Sequence, residues 1–143
     1  MAPLVRRSAP ARRRPGDSAA RGLRAETVAA WLLRLKGYRI LARRYRAGAG
    51  EIDLIARRGA VIALVEVKTR RRMDDAFAAI SAGKRRRIAS AAAVWLARNP
   101  RFAGHTLRLD AVFVGDLSWR ALRAGAVRLP VHVADVAPLA LYA

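Results

Sequence analysis

Two apolar runs in this chain, Glu51-Ile52-Asp53-Leu54-Ile55 and Val61-Ile62-Ala63-Leu64-Val65-Glu66-Val67-Lys68, carry acids and a lysine at positions where a strand buries side chains. Side chains alternate faces along a strand, so Glu51 goes with Asp53, while Leu64, Glu66 and Lys68 share a face. The stretch Arg57-Arg58-Gly59-Ala60 between the runs predicts a β-hairpin. A two-residue link at Arg58-Gly59 pairs Glu51 with Glu66 and Asp53 with Leu64; a four-residue link pairs Asp53 with Glu66. Either even link gathers the acids on one face, and an odd link separates them. Buried carboxylates cost on the order of several kcal/mol unless they meet a cation, share a proton or find a counter-charge. The hairpin therefore needs a partner for its acids.

In either even register Asp53 and Glu66 lie within about 5 to 8 Å at Cβ, close enough to converge on one cation. Hard oxygen ligands with open water positions favour Mg²⁺ or Mn²⁺ over zinc. Lys68, on the same side as Glu66, can position an attacking water and stabilise charge building on a phosphate, which is what phosphodiester hydrolysis requires. The competing reading is that each acid is held in an ordinary salt bridge by one of the many arginines. Glu51 is the acid to which that reading, or a role at the rim, applies most directly.

Charge points to the same class of substrate. Lys and Arg total 29 against 10 Asp and Glu, a net charge of +19, which predicts a polyanionic partner. Nucleic acid is favoured, DNA over RNA, with an anionic membrane surface as the alternative; no apolar run approaches the roughly 20 residues of a membrane span. The absence of cysteine excludes disulfides and thiolate metal sites. Residues 1–16, rich in Arg, Ala and Pro without an apolar centre, read as a disordered basic arm on a cytoplasmic protein, with residues 17–143 as one domain.

Along that domain the spacing predicts a helix from Asp17 or Ser18 to Lys36, with Ala19, Leu23, Ala30, Trp31 and Leu35 inward and Glu26 in its middle. Tyr38 to Tyr45 reads as a strand. After the hairpin come a basic loop with Arg70, Arg71 and Arg72 and a helix from Ser81 to Arg98. The first turn of that helix holds Lys84, Arg85, Arg86 and Arg87, and its buried stripe is Ile88, Ala91, Ala92, Trp95 and Leu96. Leu107 to Phe113 alternates as a strand, and Val127 to Val133 as a last one that Pro130 confines to an edge. The order predicts an α/β sandwich around a central sheet. Trp31 and Trp95 are expected in the core, and Trp119, beside Leu117 and Leu122, is expected to pack rather than to stack on a base. His105 and His132 lack the spacing of a zinc pair and are read as structural.

At Gly37-Tyr38-Arg39-Ile40-Leu41, Gly50-Glu51-Ile52-Asp53-Leu54-Ile55-Ala56, Val65-Glu66-Val67-Lys68-Thr69-Arg70, Ala79-Ile80 with Lys84, and Arg108-Leu109-Asp110, the chain resembles the YraN family of predicted nucleases. That family lies in the restriction-endonuclease-like PD-(D/E)XK superfamily and is related to archaeal Holliday-junction resolvases. The similarity runs from about Gly22 to Val114. It implies a three-layer sandwich with a central mixed β-sheet flanked by helices. It also implies a metal held by Asp53, Glu66 and the backbone carbonyl of Val67, Lys68 as catalytic lysine and Glu26 as a helix-borne acid. Thr69, Lys84 and Asp110 take supporting or substrate-contacting positions. Ile52 stands where the superfamily motif has proline, as is usual in this family; Ala25 replaces a usual Gly, Arg44 a usual Asn, and Leu64 and Leu109 usual Phe residues.

The combined expectation is a Mg²⁺- or Mn²⁺-dependent endonuclease acting on DNA, branched or junction DNA included. Resolving a junction would require two sites in a symmetric homodimer. The rival is a nucleic-acid-binding protein that keeps the fold and does not cleave.

Overall fold

The computed structural model describes residues 15–69 and 80–139. Helix α1 (Pro15–Leu35) leads into strands β1 (Arg39–Ala47), β2 (Gly50–Arg58) and β3 (Val61–Lys68). Helix α2 (Ala82–Arg98) and a 3₁₀ turn (Pro100–Phe102) precede strand β4 (Thr106–Phe113), a short helix α3 (Trp119–Arg123) and strand β5 (Val131–Ala137). The sheet has the order β1-β2-β3-β4-β5. Only β3 and β4 are parallel, and α2 lies in the crossover that a parallel pair demands. The result is a mixed sheet between helices, the three-layer α/β arrangement that the resemblance implies.

Alternation along the central strands divides the core. Ile62 and Leu64 of β3, with Leu109 and Ala111 of β4, meet Ile88, Ala91, Ala92 and Trp95 of α2. Ala63 and Val65 of β3, with Val112 of β4, meet Ala25, Ala29, Ala30 and Leu33 of α1. Helix α1 thus approaches the sheet through three alanines and Leu33, while Trp31 and Leu35 point away, 60% and 84% exposed. The inward stripe expected through Leu23, Trp31 and Leu35 is corrected by this packing, because small side chains are what allow a helix to lie close on a sheet. Trp95 is buried as expected, stacked on Phe102. Among the described residues no helix is long and apolar enough to cross a membrane. The basic arm expected at residues 1–16 falls almost wholly outside the described residues.

The last strand also differs from expectation. Val127 and Leu129 are exposed and lie before β5, which starts only after Pro130. Proline fixes its own φ and lacks an N–H, so the ladder to β4 opens at Val131, opposite Phe113. In β1, Arg44 has φ 49°, a left-handed conformation that Asn adopts more readily than Arg, which accounts for the residue usual at this position in the resembling family.

A polar cluster is buried on the α1 face. Asp110 is fully buried and accepts from Arg108 Nε and Nη2 at 2.7 Å, from His132 Nε2 at 2.8 Å and from the Asp135 N–H at 3.0 Å. Burial works to raise its pKa, but the bonds from His132, Arg108 and Asp135 prevail and hold it below the usual carboxylate range. Arg108 also reaches Tyr38 Oη at 2.7 Å, and the Lys36 Nζ lies 2.7 Å from His132 Nδ1. These contacts tie the end of α1 to β4 and β5.

On the other face, Gly50 starts β2 directly beneath α2. A Cβ there would stand 1.9 Å from the Arg87 carbonyl oxygen and 2.7 Å from its carbon, both backbone atoms that cannot swing aside. Glycine is therefore what lets the β1–β2 turn and the first turns of α2 touch. Gly50→Ala should lower the unfolding free energy by at least about 2 kcal/mol in urea titrations, as α2 is displaced. A variant as stable as the parent would show that this close approach is not maintained in solution.

Candidate metal centre and its basic rim

The β2–β3 turn is Gly59-Ala60, with Arg58 paired to Val61 and Leu54 to Val65. This even link is one residue further along than Arg58-Gly59, and continuing its register places Asp53 opposite Glu66. The paired ladder stops at Leu54 and Val65. Beyond it, Asp53 Oδ2 accepts a hydrogen bond from the Val67 N–H at 2.8 Å, so the side chain replaces the missing backbone partner. Here β2 leaves β3 and a cleft of about 480 Å³ opens. Its walls come from the β1–β2 turn (Arg46, Gly48, Gly50), from Glu51, Asp53 and Glu66, and from the start of α2 (Lys84, Arg87).

Glu66 is buried and meets two lysines through one oxygen: Lys84 Nζ is bonded to Oε1, and Lys68 Nζ lies 3.3 Å from the same atom. Burial alone would lower the Lys84 pKa, yet the bond and charge of Glu66, with the charge of Asp53, raise it. Asp53 has no lysine of its own. Its carboxyl is pushed from 3.8 up to about 7, first by burial, then by the negative charge of Glu66 and, less, of Glu26, against the lowering effect of the Val67 N–H and Lys84. The two lysines gather on Glu66, and Asp53 faces that acid with its carboxyl buried.

The remaining acids are further from this centre. Glu26, buried on α1, receives a hydrogen bond from Arg44 Nε at 3.2 Å on Oε1. The same nitrogen is 2.9 Å from Oε2, off the N–H axis, so Oε2 is paired in charge but accepts no hydrogen bond. Glu51 lies on the cleft wall, half-buried and 3.3 Å from Arg46. Thr69 is exposed just past β3. Asp110 pairs in register with Val65 rather than Glu66 and therefore points to the α1 face; its support goes to the core cluster and not to these acids. Of the basic residues, Lys84 and Arg87 line the cleft, Arg86 is exposed and Arg85 half-buried, while Arg70, Arg71 and Arg72 lie outside the described residues. Lys84, read from sequence as part of a basic patch, is an inward residue; its place one helical turn before Ile88 in the buried stripe is the sequence signal for that orientation.

Among the described residues no group of three or more His, Cys, Asp or Glu side chains is gathered as a metal cage. A full protein cage is what zinc demands, whereas Mg²⁺ is commonly held by one or two carboxylates and keeps its waters. The Asp53 and Glu66 pair, two carboxylates at one open cleft, fits the second kind of ion.

The chain matches the model of "Uncharacterised protein family UPF0102" over residues 25–114. It belongs to that family, which is the YraN family. A UPF0102 protein of Methylorubrum extorquens (strain PA1) is 60% identical over 99 residues, covering 69% of this chain and 77% of its own. Another from Methylobacterium nodulans is 54% identical over 116 residues, covering 81% and 90%. The matched family region contains Glu26, Asp53, Glu66, Lys68, Lys84 and Asp110.

The shifted Asp53 has a consequence for the metal-free protein. Between 3.8 and about 7 the folded state binds more protons at this group than the unfolded chain does. Its contribution to stability is therefore fully present below about pH 4 and is lost as pH rises through 7. In chelator, Asp53→Asn should be more stable than the parent at pH 8, with the difference disappearing near pH 4. Denaturation curves that differ by the same amount at every pH would contradict the assigned shift.

Proposed function

We propose that this protein is a Mg²⁺- or Mn²⁺-dependent deoxyribonuclease. The observation that carries the reading is the opposed Asp53 and Glu66 pair in a cleft rimmed by Arg46, Lys84 and Arg87, with the Asp53 pKa pushed up to about 7. A bound divalent ion would neutralise the pair, polarise a phosphate oxygen and lower the pKa of a bound water. Asp53, Glu66 and the Val67 carbonyl would hold that ion.

The chain's own residues have separable tasks. Lys68, whose ammonium lies 3.3 Å from Glu66 Oε1, would orient a water and balance charge on the phosphate. Lys84 holds Glu66 in the metal-free state and is available to phosphate once Glu66 takes another partner. Glu26, whose charge reaches Asp53, completes the acidic group as further ligand or base. Arg46 and Arg87 flank the entrance and attract the backbone. DNA rather than RNA as substrate, action on branched DNA and a homodimer for cutting paired strands belong to this same proposal.

A non-catalytic nucleic-acid binder is the second reading, favoured by one observation: Glu66 already has two lysine partners and Asp53 a backbone donor. Substitution separates the two. Asp53→Asn or Glu66→Gln should reduce Mg²⁺-dependent cleavage of branched, duplex or single-stranded DNA by at least about a hundredfold while DNA binding stays equal or tightens. Persistent cleavage in both variants would remove the assigned site, and an uncleaved panel with the parent protein in both metals would favour the binder.

A further inference from the structure

The segment 115–130 carries features that neither the core nor the metal centre uses. Trp119 is 66% exposed and Leu129 86%, and Leu122 also faces solvent. Arg120, Arg123 and Arg128 are exposed among them, and the one acid is Asp116. The packing role expected for Trp119 is corrected by its exposure. Its ring is held on an ordered turn: Asp116 Oδ1 accepts from the Ser118 N–H at 2.8 Å, Ser118 Oγ accepts from the Ala121 N–H at 3.2 Å, and Ala121 is buried. Arg123 places its guanidinium 5.6 Å from the Trp119 ring centre.

The segment begins beside the catalytic lysine. Lys68 accepts a backbone hydrogen bond from the Val114 N–H at 2.8 Å, and Arg128 lies against Gly115, the next residue. Across the sheet, Lys68 is in register with Phe113, and Phe113 with Val131, where the segment ends. Two strand spacings separate Lys68 from that point, about 10 Å.

We propose that this segment is a site for unpaired nucleotides, with Trp119 stacking on a base and Arg120, Arg123 and Arg128 holding the adjoining phosphates. An exposed aromatic ring flanked by guanidinium groups is the platform that single-stranded nucleic acid uses, since every base has a face to offer and the charges follow the backbone. In a duplex those base faces are already stacked, so a ring on a surface turn gains contact only where bases are unpaired. The inference rests on the nuclease reading in one respect, that the bound strand is the one presented to Lys68. It narrows the substrate to DNA with unpaired bases next to the scissile bond.

The test measures binding without catalysis. Full-length protein carrying Asp53→Asn is titrated in chelator with labelled single-stranded and duplex DNA. Adding Trp119→Ala should weaken single-strand binding on the order of tenfold and leave duplex binding unchanged, and Trp119→Phe should restore it. Trp31→Ala, which removes another exposed ring that has an arginine 5.4 Å away, should have no effect. Single-strand binding unaltered by Trp119→Ala, an equal loss for duplex, or an equal loss from Trp31→Ala would each overturn the proposal. So would light scattering that finds a dimer dissolved by Trp119→Ala with DNA binding intact, which would assign the face to a second copy of the chain. Failure of the parent to cleave DNA would end the nuclease reading and leave this site standing; cleavage that depends on Asp53, without the Trp119 effect, would do the reverse.

Discussion

The separation of β2 from β3 at Asp53 is the constraint from which the candidate centre follows. Up to Leu54 and Val65 the strands satisfy one another through backbone bonds. At the next pair the Asp53 side chain takes over the Val67 N–H, which spares the backbone an unsatisfied donor and turns the strand ends apart. The opening lets Lys84 enter from α2, and Gly50 lets α2 come close enough for it to arrive. A side-chain hydrogen bond and a missing Cβ thus shape the cleft on two sides.

The two faces of the sheet treat buried acid differently. Asp110 is saturated: two donors from Arg108, one from His132 and one from the Asp135 backbone leave its oxygens fully occupied and its pKa low. Such a group fixes geometry and has no capacity left for a ligand. Asp53 is the opposite case, with one backbone donor against two neighbouring acids and a raised pKa. Perturbation of that kind in a cleft makes Asp53 the candidate functional group.

Much of the arrangement is legible from residue order because it depends on periods of two and on helix stops. The first four strands and the α2 stripe follow from such local rules, whereas the hairpin register stays open between even and odd links and β5 starts only after Pro130. Sequence does not decide which of two apolar flanks a helix buries; in α1 the sheet takes the flank of Ala25, Ala29, Ala30 and Leu33, and Trp31 and Leu35 stay outside. The role of Asp110 was likewise hidden, because the face it takes depends on the parallel register with β3 and its partner His132 comes from a strand 22 residues away. Trp119 has apolar neighbours in sequence, but the segment stands off the sheet and those neighbours are exposed with it.

In the proposed centre Asp53 and Glu66 jointly hold one divalent cation. Calorimetric titration of Mn²⁺ into the full-length protein at pH 8, where Asp53 is ionised, tests it without DNA or turnover. The parent should show a single site that is lost in both Asp53→Asn and Glu66→Gln. Equal Mn²⁺ binding by the parent and either variant, or no binding by the parent, would contradict it.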